Sequence, residues 1–586
     1  MKNFLKIIAG TIIGSLLAMV LGTFILFGII SSLVTMTEVK PTVPASAILA
    51  LDFTIPVTEQ KSEDIGYTMS ADIFVEKTTG ILEFIQSIDM AAEDPAIKFI
   101  YMNLTEIEAG VTHIEEIRSA LDRFRLSGKP VIAYADDYSQ GAYYLASAAD
   151  KVFLNPSGTA TLTGVSTTTI FFRDLLDKLG VEVQLIRHGK FKAAAEQLIS
   201  NKMSAENREQ LKAYGDAVWA TWTEAISKSR SIDSSLLNKM TDEISVTSGK
   251  KALEAKLIDG LLYKDQLIDT IAHLFGVKEE KEIKMIDNTT YFKARKKSDV
   301  RTKDKIAVIY ATGDIISGKS EDNIASDNFV KILSEIRKDS SFKAVVLRIN
   351  SPGGDARSAE MIDRELTLLK EKRPIIVSMG DYAASGGYWI AARANKIYTN
   401  NTTLTGSIGV FSMAVNFGKT MNSLLKVNAE SVNTNKHSDM LSGYRSLDNE
   451  EVQFLQSSVE DIYVSFIELV ASGRSMSSAA VDSVAQGRIW SGLDAIKIGL
   501  ADEKGGIVEA IQGAALEANL KTYRLVEYPV KKSQIDKIIE QLTMVKASTG
   551  VISLPELMFK SAYSALKSER GVKFMARVPF DVEINK

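Results

Sequence analysis

The feature that most constrains this chain is an internal repeat with a period near 245 residues. Residues 140–146 (Gln-Gly-Ala-Tyr-Tyr-Leu-Ala) recur 245 positions later as residues 385–391 (Ser-Gly-Gly-Tyr-Trp-Ile-Ala). Residues 150–153 and 162–164 recur in the same order as residues 395–398 and 404–406. Solenoid repeats are only about 20–50 residues long, so this period excludes a solenoid. It predicts a duplicated domain, and 586 residues are too many for one hydrophobic core.

Each copy has the pattern of an α/β domain. Short apolar runs of strand length alternate with segments of helical spacing such as residues 114–124, which predicts parallel strands covered by helices. The runs lie at residues 48–53, 99–102 and 130–134 in the first copy, and at 306–310, 344–347 and 374–377 in the second. We expect a first half over residues 45–290, a charged linker over 293–305, and a second half over 304–530. The tail, residues 531–586, carries no feature that predicts a role.

Composition removes several classes of function. The chain has no cysteine, which excludes disulfides, cysteine nucleophiles and thiolate metal sites. Its four histidines are not spaced as metal ligands on one helix face. A net charge of -4 gives no basic surface for nucleic acid. We therefore expect a protein without a metal, cofactor or nucleic-acid partner.

The N-terminus has the pattern of a membrane anchor. No charged residue lies between Lys6 and Glu38, and residues 7–34 exceed the ~20 residues that span a bilayer. Lys2 and Lys6 precede this segment, so the positive-inside rule places residues 1–6 in the cytoplasm and the remainder outside it. The alternative is a cleaved secretory signal, for which the small residues at 44–47 offer a site.

The two copies differ where chemistry is expected. Only the second copy has adjacent glycines, Gly353 and Gly354, after a strand. Backbone N–H groups at such glycines can stabilise an oxyanion, and we assign this role to Gly354 with Gly353 in support. An ordinary turn is the alternative reading.

Ser385 is the candidate nucleophile. It follows a predicted strand and precedes a predicted helix, where N–H groups, including that of Gly386, favour a developing negative charge. A serine here could also be a simple helix cap. The first copy, however, keeps the flanking aromatic pattern but carries Gln140 at this position. Asp381, in the same motif, is assigned a supporting role.

Lys192 is the candidate general base, because burial can lower the pKa of a lysine toward neutrality. Alternatively it is an exposed helical lysine paired with Glu196. Its counterpart in the second copy is Ser438. The first copy therefore keeps the lysine and the second keeps the serine, which favours one composite site between the halves.

These motifs resemble the long, duplicated form of the signal peptide peptidase A (protease IV) family of Ser–Lys peptidases. The resemblance covers about residues 45–530 and includes Phe-Lys-Ala-Ala-Ala-Glu in the first half and Ser-Pro-Gly-Gly in the second. It implies Lys192 as base, Ser385 as nucleophile, tandem Clp/crotonase-like βα superhelix domains and a homotetramer. It also implies remnant signal peptides as substrates, in the periplasm, from an anchor in the bacterial inner membrane.

Two other functions remain open. The first is a catalytically inactive scaffold of the same fold, which the joint presence of Ser385, Lys192 and the glycine pair argues against. The second is an acyl-CoA-processing crotonase homologue, which an extracytoplasmic location argues against because CoA is cytoplasmic.

Overall fold

A computed structural model describes residues 41–67, 73–105, 107–296, 302–530 and 574–577, with a few helical positions between 10 and 22. Most of the predicted anchor, residues 7–34, and most of the tail lie outside the described residues. Within the described part of the chain, no helix is both long and apolar enough to cross a membrane.

The first half alternates strands and helices. Its strands are β1 (Ala47–Leu51), β2 (Val57–Thr58), β3 (Glu63–Tyr67), β4 (Ile73–Lys77), β5 (Thr79–Gly80), β6 (Ile97–Asn103), β7 (Val131–Ala135), β8 (Lys151–Leu154), β9 (Glu182–Arg187), β10 (Gly260–Leu261) and β11 (Met285–Asp287). Its helices are α1 (Ile81–Glu93), α2 (Val111–Arg125), α3 (Gln140–Ala146), α4 (Arg173–Leu179), α5 (Glu196–Ile199), α6 (Ala205–Arg230), α7 (Ser234–Asp242), α8 (Gly249–Glu254), α9 (Lys264–Phe275) and α10 (Asn288–Arg295), with a 3-10 turn at Glu280–Glu282.

The second half repeats this order. Its strands are β12 (Lys305–Thr312), β13 (Ile315–Ile316), β14 (Ile324–Ala325), β15 (Phe342–Ser351), β16 (Gly353–Asp355), β17 (Ile375–Ala384), β18 (Lys396–Thr399), β19 (Leu404–Gly406), β20 (Phe411–Asn416), β21 (Ile489–Ser491), β22 (Glu503–Lys504) and β23 (Arg524–Tyr528), and the tail adds β24 (Phe574–Arg577). Its helices are α11 (Ser326–Lys338), α12 (Ala356–Lys370), α13 (Gly386–Trp389), α14 (Asn449–Arg474), α15 (Ser478–Val484), α16 (Gly492–Lys497) and α17 (Ile507–Glu517), with a π-helix at Thr420–Leu424.

Each half is built on its own mainly parallel sheet. The strand order is β10-β8-β7-β6-β1-β11 in the first half and β21-β19-β17-β15-β12-β23 in the second, where β18 also pairs with β17. Because strands buried on both faces consist of continuous apolar runs, the runs found in the sequence mark the central strands. The predicted α/β fold with tandem halves is confirmed.

A third sheet joins the halves, and the sequence did not predict it. Its order is β14-β13-β16-β24-β20-β9, so a first-half strand, β9, forms one edge of a second-half sheet. The β9–β20 pair is antiparallel and runs from Arg187 opposite Phe411 to Glu182 opposite Asn416. Because β9 pairs with β20, the loop that follows β9 lies against the second half.

Buried ion pairs also join the halves. Arg348 on β15 is fully buried, and its guanidinium lies 2.7 Å from carboxylate oxygens of both Glu59 and Glu116 in the first half. His113 on α2 lies 2.9 Å from the second oxygen of Glu59. Removing one partner from such a buried network leaves an uncompensated charge, so the network fixes how the two halves meet.

Candidate active site

The structure brings Lys192 and Ser385 into direct contact. Lys192 Nζ lies 2.7 Å from Ser385 Oγ, although the two residues are 193 positions apart. Both side chains are fully buried. A lysine and a serine hydroxyl at this distance have the geometry of a general base and its nucleophile.

The backbone at Ser385 has the conformation of a sharp turn. Ser385 has a φ of 56° and joins β17 to α13. Its side chain makes no capping bond to the helix, which argues against the cap reading. Helix α13 covers only Gly386–Trp389, shorter than the expected helix. Any stabilisation of negative charge here therefore comes from individual N–H groups, such as that of Gly386, rather than from a long helix dipole.

Burial dominates the electrostatics of Lys192. It holds the pKa of Lys192 well below its ordinary value, because a charged ammonium loses its hydration there. The exposed-helix reading is wrong, since Lys192 lies in a loop before α5. Glu196, its expected ion-pair partner, is bound instead to Asn207 at 2.7 Å and to the N–H of Ser204. A lysine with a lowered pKa is neutral, and able to accept a proton, at a lower pH than an exposed lysine.

The loop that carries Lys192 is fixed by the second half. The N–H of His188 donates to Val410 O, and that of Phe191 donates to Gln486 O. A side chain at Gly487 would lie 2.5 Å from Lys192 Cβ, so only glycine allows this approach. The main chain of Lys192 is thus held against the turn at residues 485–488.

Ser407 is a site residue that the sequence reasoning missed. Its hydroxyl and its carbonyl oxygen each lie 3.1 Å from Lys192 Nζ. It has a φ of 49°, and its N–H donates to Arg488 O. The repeat contained a signal for it, because the residue after Leu404-Thr405-Gly406 is a serine and its counterpart after Leu162-Thr163-Gly164 is Val165.

The glycine pair lies on β16, which is between β13 and β24 in the third sheet and next to helix α13, the helix that follows Ser385. Gly353 and Gly354 are both buried. A side chain at Gly354 would lie 2.1 Å from Ile315 O. The N–H of Gly353 donates to Ser351 Oγ. Helix α13 packs on this region, since a side chain at Gly387 would lie 2.7 Å from Ser351 O.

Asp381 lies at the interface between the halves. Its carboxylate accepts a hydrogen bond from Thr112 N at 2.8 Å, and it lies 3.8 Å from His113 Nδ1. It therefore supplies the N-terminal cap that Gly110 cannot provide for α2. If Asp381 supports the site, it does so by binding the start of α2 in the first half, since its partners are Thr112 and His113 and not Lys192 or Ser385.

The counterparts of the two residues do not form a second site. Gln140 turns its amide onto its own loop and accepts from Thr163 N and Gly164 N at 2.7 and 2.9 Å. Ser438 is exposed, and its hydroxyl accepts from Asn435 N.

Part of the C-terminal tail enters the same sheet. Strand β24 lies between β16 and β20 and is antiparallel to both. Gly354 stands opposite Ala576, and Phe411 opposite Met575. The position between β16 and β20 therefore accepts an extended peptide segment.

One group of side chains in the described part of the chain has the spacing of a cation site, formed by His437, Asp448 and Glu451. Arg445 lies 2.7 Å from Glu451 Oε1 and also binds Asp439. A guanidinium already neutralises the most buried carboxylate of the group, so these residues do not fit a metal.

Comparison with known proteins identifies the family. The model of peptidase family S49 matches residues 123–278 and 367–521, one match in each half. This chain belongs to peptidase family S49. Protease 4 of Haemophilus influenzae is 35% identical over 75% of this chain and 73% of its own length.

Two further relatives span both halves. Protease 4 of Salmonella typhi is 35% identical over 79% of this chain and 76% of its own length. The chloroplastic serine protease SPPA of Arabidopsis thaliana is 32% identical over 82% of this chain and 70% of its own length. The predicted resemblance is confirmed, and this S49 member is a serine endopeptidase of the long, duplicated form.

Proposed function

We propose that this S49 peptidase is a membrane-anchored endopeptidase that cuts remnant signal peptides and other apolar peptides with a Ser385–Lys192 dyad. The observation that carries the proposal is the 2.7 Å contact between Lys192 Nζ and Ser385 Oγ in a fully buried site. The anchor is residues 7–34, in the bacterial inner membrane with the catalytic halves in the periplasm. The assembled form is a homotetramer.

In the first step, neutral Lys192 removes the proton from Ser385 as its Oγ attacks the scissile carbonyl. The oxyanion is held by the N–H groups of Gly354 and Gly386, with Gly353 shaping the strand. Lys192 then gives the proton to the leaving amine, and water hydrolyses the acyl-enzyme with Lys192 again as base. Ser407 holds Nζ toward Ser385 throughout.

The substrate binds as an extended strand between β16 and β20. Strand β24 occupies that position with antiparallel pairing to both edges, which supports this mode of binding. Main-chain hydrogen bonds of this kind do not depend on the side chains of the peptide. They suit an enzyme that takes varied apolar sequences, and β24 leaves the position when a substrate enters.

The test is cleavage of an apolar signal peptide by the detergent-solubilised full chain, beside Ser385→Ala and Lys192→Ala. Lys190→Ala is the matched control, because this neighbouring lysine is exposed. Both dyad variants lose cleavage while folding like wild type, and the control keeps it. Full cleavage by Lys192→Ala would show that the base lies elsewhere. An inactive wild type would favour the scaffold.

A further inference from the structure

The duplication that produced the two halves also leaves two complementary segments without a strand partner in the described part of the chain. Residues 167–171, here called the first-half edge, are the first-half counterpart of β20. Residues 428–432, here called the second-half arm, are the second-half counterpart of β9. Neither segment belongs to any sheet formed by the described residues.

The correspondence on the edge side follows from the turn that comes next. Leu176 N donates to Phe172 O, and Met421 N donates to Phe417 O, both at 2.9 Å. These bonds align the first copy with the second at an offset of 245. The residues of β20 nearest this turn, such as Val415, therefore correspond to first-half edge residues such as Ile170.

The correspondence on the arm side differs by one residue. Gly180 and Lys426 both end their turn with a positive φ, at 73° and 56°. Their offset is 246, because Thr420–Leu424 is a π-helix where α4 is an α-helix, and a π-turn accommodates one extra residue. The arm residue Ala429 therefore corresponds to Val183 of β9.

Both segments are available for a partner. All residues from 422 to 436 are exposed, and Val432 is fully so. In the first-half edge, the odd-numbered residues are half-buried and the even-numbered ones exposed, as in a strand with one face on the protein. Ile170 is 64% exposed.

Within the chain, β9 pairs with β20, and Val183 stands opposite Val415. We propose that the second-half arm of one copy pairs in the same antiparallel way with the first-half edge of a second copy. The same correspondence sets the register, with Ala429 opposite Ile170 and Glu430 opposite Thr169. The contact is heterologous, and such contacts form a ring when the rotation between copies closes, as the proposed homotetramer requires.

The residues that flank the pairing support this occupant. Inside the chain, Thr420 Oγ1 donates to Leu179 O at 2.7 Å where the two turns meet. Between copies, the corresponding residues are Leu175 and Leu425, which are 52% and 61% exposed. Leu175 replaces the threonine hydroxyl, and both positions of the contact are then exposed leucines, so a second copy would bury apolar surface there.

This inference deepens the proposed homotetramer and is independent of the dyad. It brings Ser438 of one copy toward Gln140 of the next copy, the two positions that have lost the base and the nucleophile. The contact between copies therefore forms no additional active site, and each chain provides one.

Cysteine cross-linking tests the register, since the full chain has no cysteine of its own. Copies carrying Ile170→Cys and copies carrying Ala429→Cys are co-expressed with different tags and oxidised. Pairing predicts a disulfide-linked heterodimer, at roughly ten times the yield given by Ile170→Cys with Glu430→Cys, because a one-residue shift turns the side chain to the other face. Equal yields, or no cross-link from the first pair, would overturn the proposal.

A charge at the flanking contact gives a second readout. Leu425→Asp is expected to reduce the assembly to monomers by light scattering, while fluorophosphonate labelling of Ser385 continues. Leu126→Asp, at a residue that is 88% exposed on α2's C-terminal end, is the control and keeps the assembly. If Leu425→Asp assembles like wild type, the arm does not form the interface.

Discussion

The two halves share one fold, and under the proposed mechanism each contributes different residues to one catalytic site. The second half keeps Ser385, Ser407 and the glycine pair, whereas the first half keeps Lys192. At the position of Ser385 the first half has Gln140, which binds its own loop. At the position of Lys192 the second half has Ser438, which is exposed. If the proposed dyad is correct, each half has kept only the residues that it contributes to the shared site.

The largest expected effect comes from removing the first half's contribution. Lys192→Met should lower turnover by about 10²–10⁴-fold, the usual contribution of a general base. Because it replaces a buried amine with an apolar group of similar length, it should also raise the melting temperature. Steady-state kinetics and thermal unfolding check both, and Lys190→Ala serves as the exposed control. A loss of both activity and stability would point to a structural role for Lys192.

A smaller effect is expected at Ser407, which distinguishes the second half from Val165 in the first. Ser407→Ala should lower kcat by about 10–100-fold with little change in KM, because Nζ loses one of the groups that orient it. Ser438→Ala, at the exposed counterpart of Lys192, is the control. An unchanged kcat would mean that the Ser407 carbonyl and the contact at Gly487 are enough to position Lys192.

The contact between the halves can be broken without touching the dyad. Arg348→Met should lower the free energy of unfolding by about 3–5 kcal/mol, since Glu59 and Glu116 would be left buried without their cation. Arg125→Ala, which breaks an exposed pair with Asp150, should cost only about 0–1 kcal/mol. Denaturant unfolding compares them, and equal losses would show that the buried network does not hold the halves together.

The same network predicts how stability depends on pH. Burial alone would lower the pKa of His113, but Glu59 and Asp381 outweigh it and raise the pKa to about 9. Its contribution, on the order of a few kcal/mol, is complete below pH 6.5 and is lost as the pH rises through about 9. His113→Gln should flatten the decline in melting temperature over this range. A variant that keeps the wild-type slope would assign the decline to another group.

At the acidic side, the network depends on Glu59. Burial opposes its charge, but Arg348 and His113 together lower the pKa of Glu59 to about 2. The stability it contributes is present above its ordinary pKa of 4.5 and is lost as the pH falls through about 2. The contact between the halves is therefore expected to be strongest between about pH 4.5, above which Glu59 contributes fully, and pH 6.5, below which His113 does.

Comparing the two copies in the sequence identified the candidate site residues, but it did not predict the contacts that join the halves. Ser385 and Lys192 were found because each is missing from one copy, and the central strands were found because they are continuously apolar. The β9–β20 pair joins segments more than 220 residues apart, and no local pattern specifies such a pairing. Arg348 and Asp381 have ordinary local contexts, and only the packed interface shows their partners.

The most direct test of the composite dyad is the rate of fluorophosphonate labelling of Ser385 as a function of pH, in wild type and in Lys192→Met. Because burial lowers the pKa of Lys192, the wild-type rate should rise with pH to a plateau, with its midpoint well below the ordinary lysine value of 10.5. Lys192→Met should label slowly and without that titration. If Lys192→Met labels at the wild-type rate with the same midpoint, Lys192 is not the base and the division of the site between the halves is wrong.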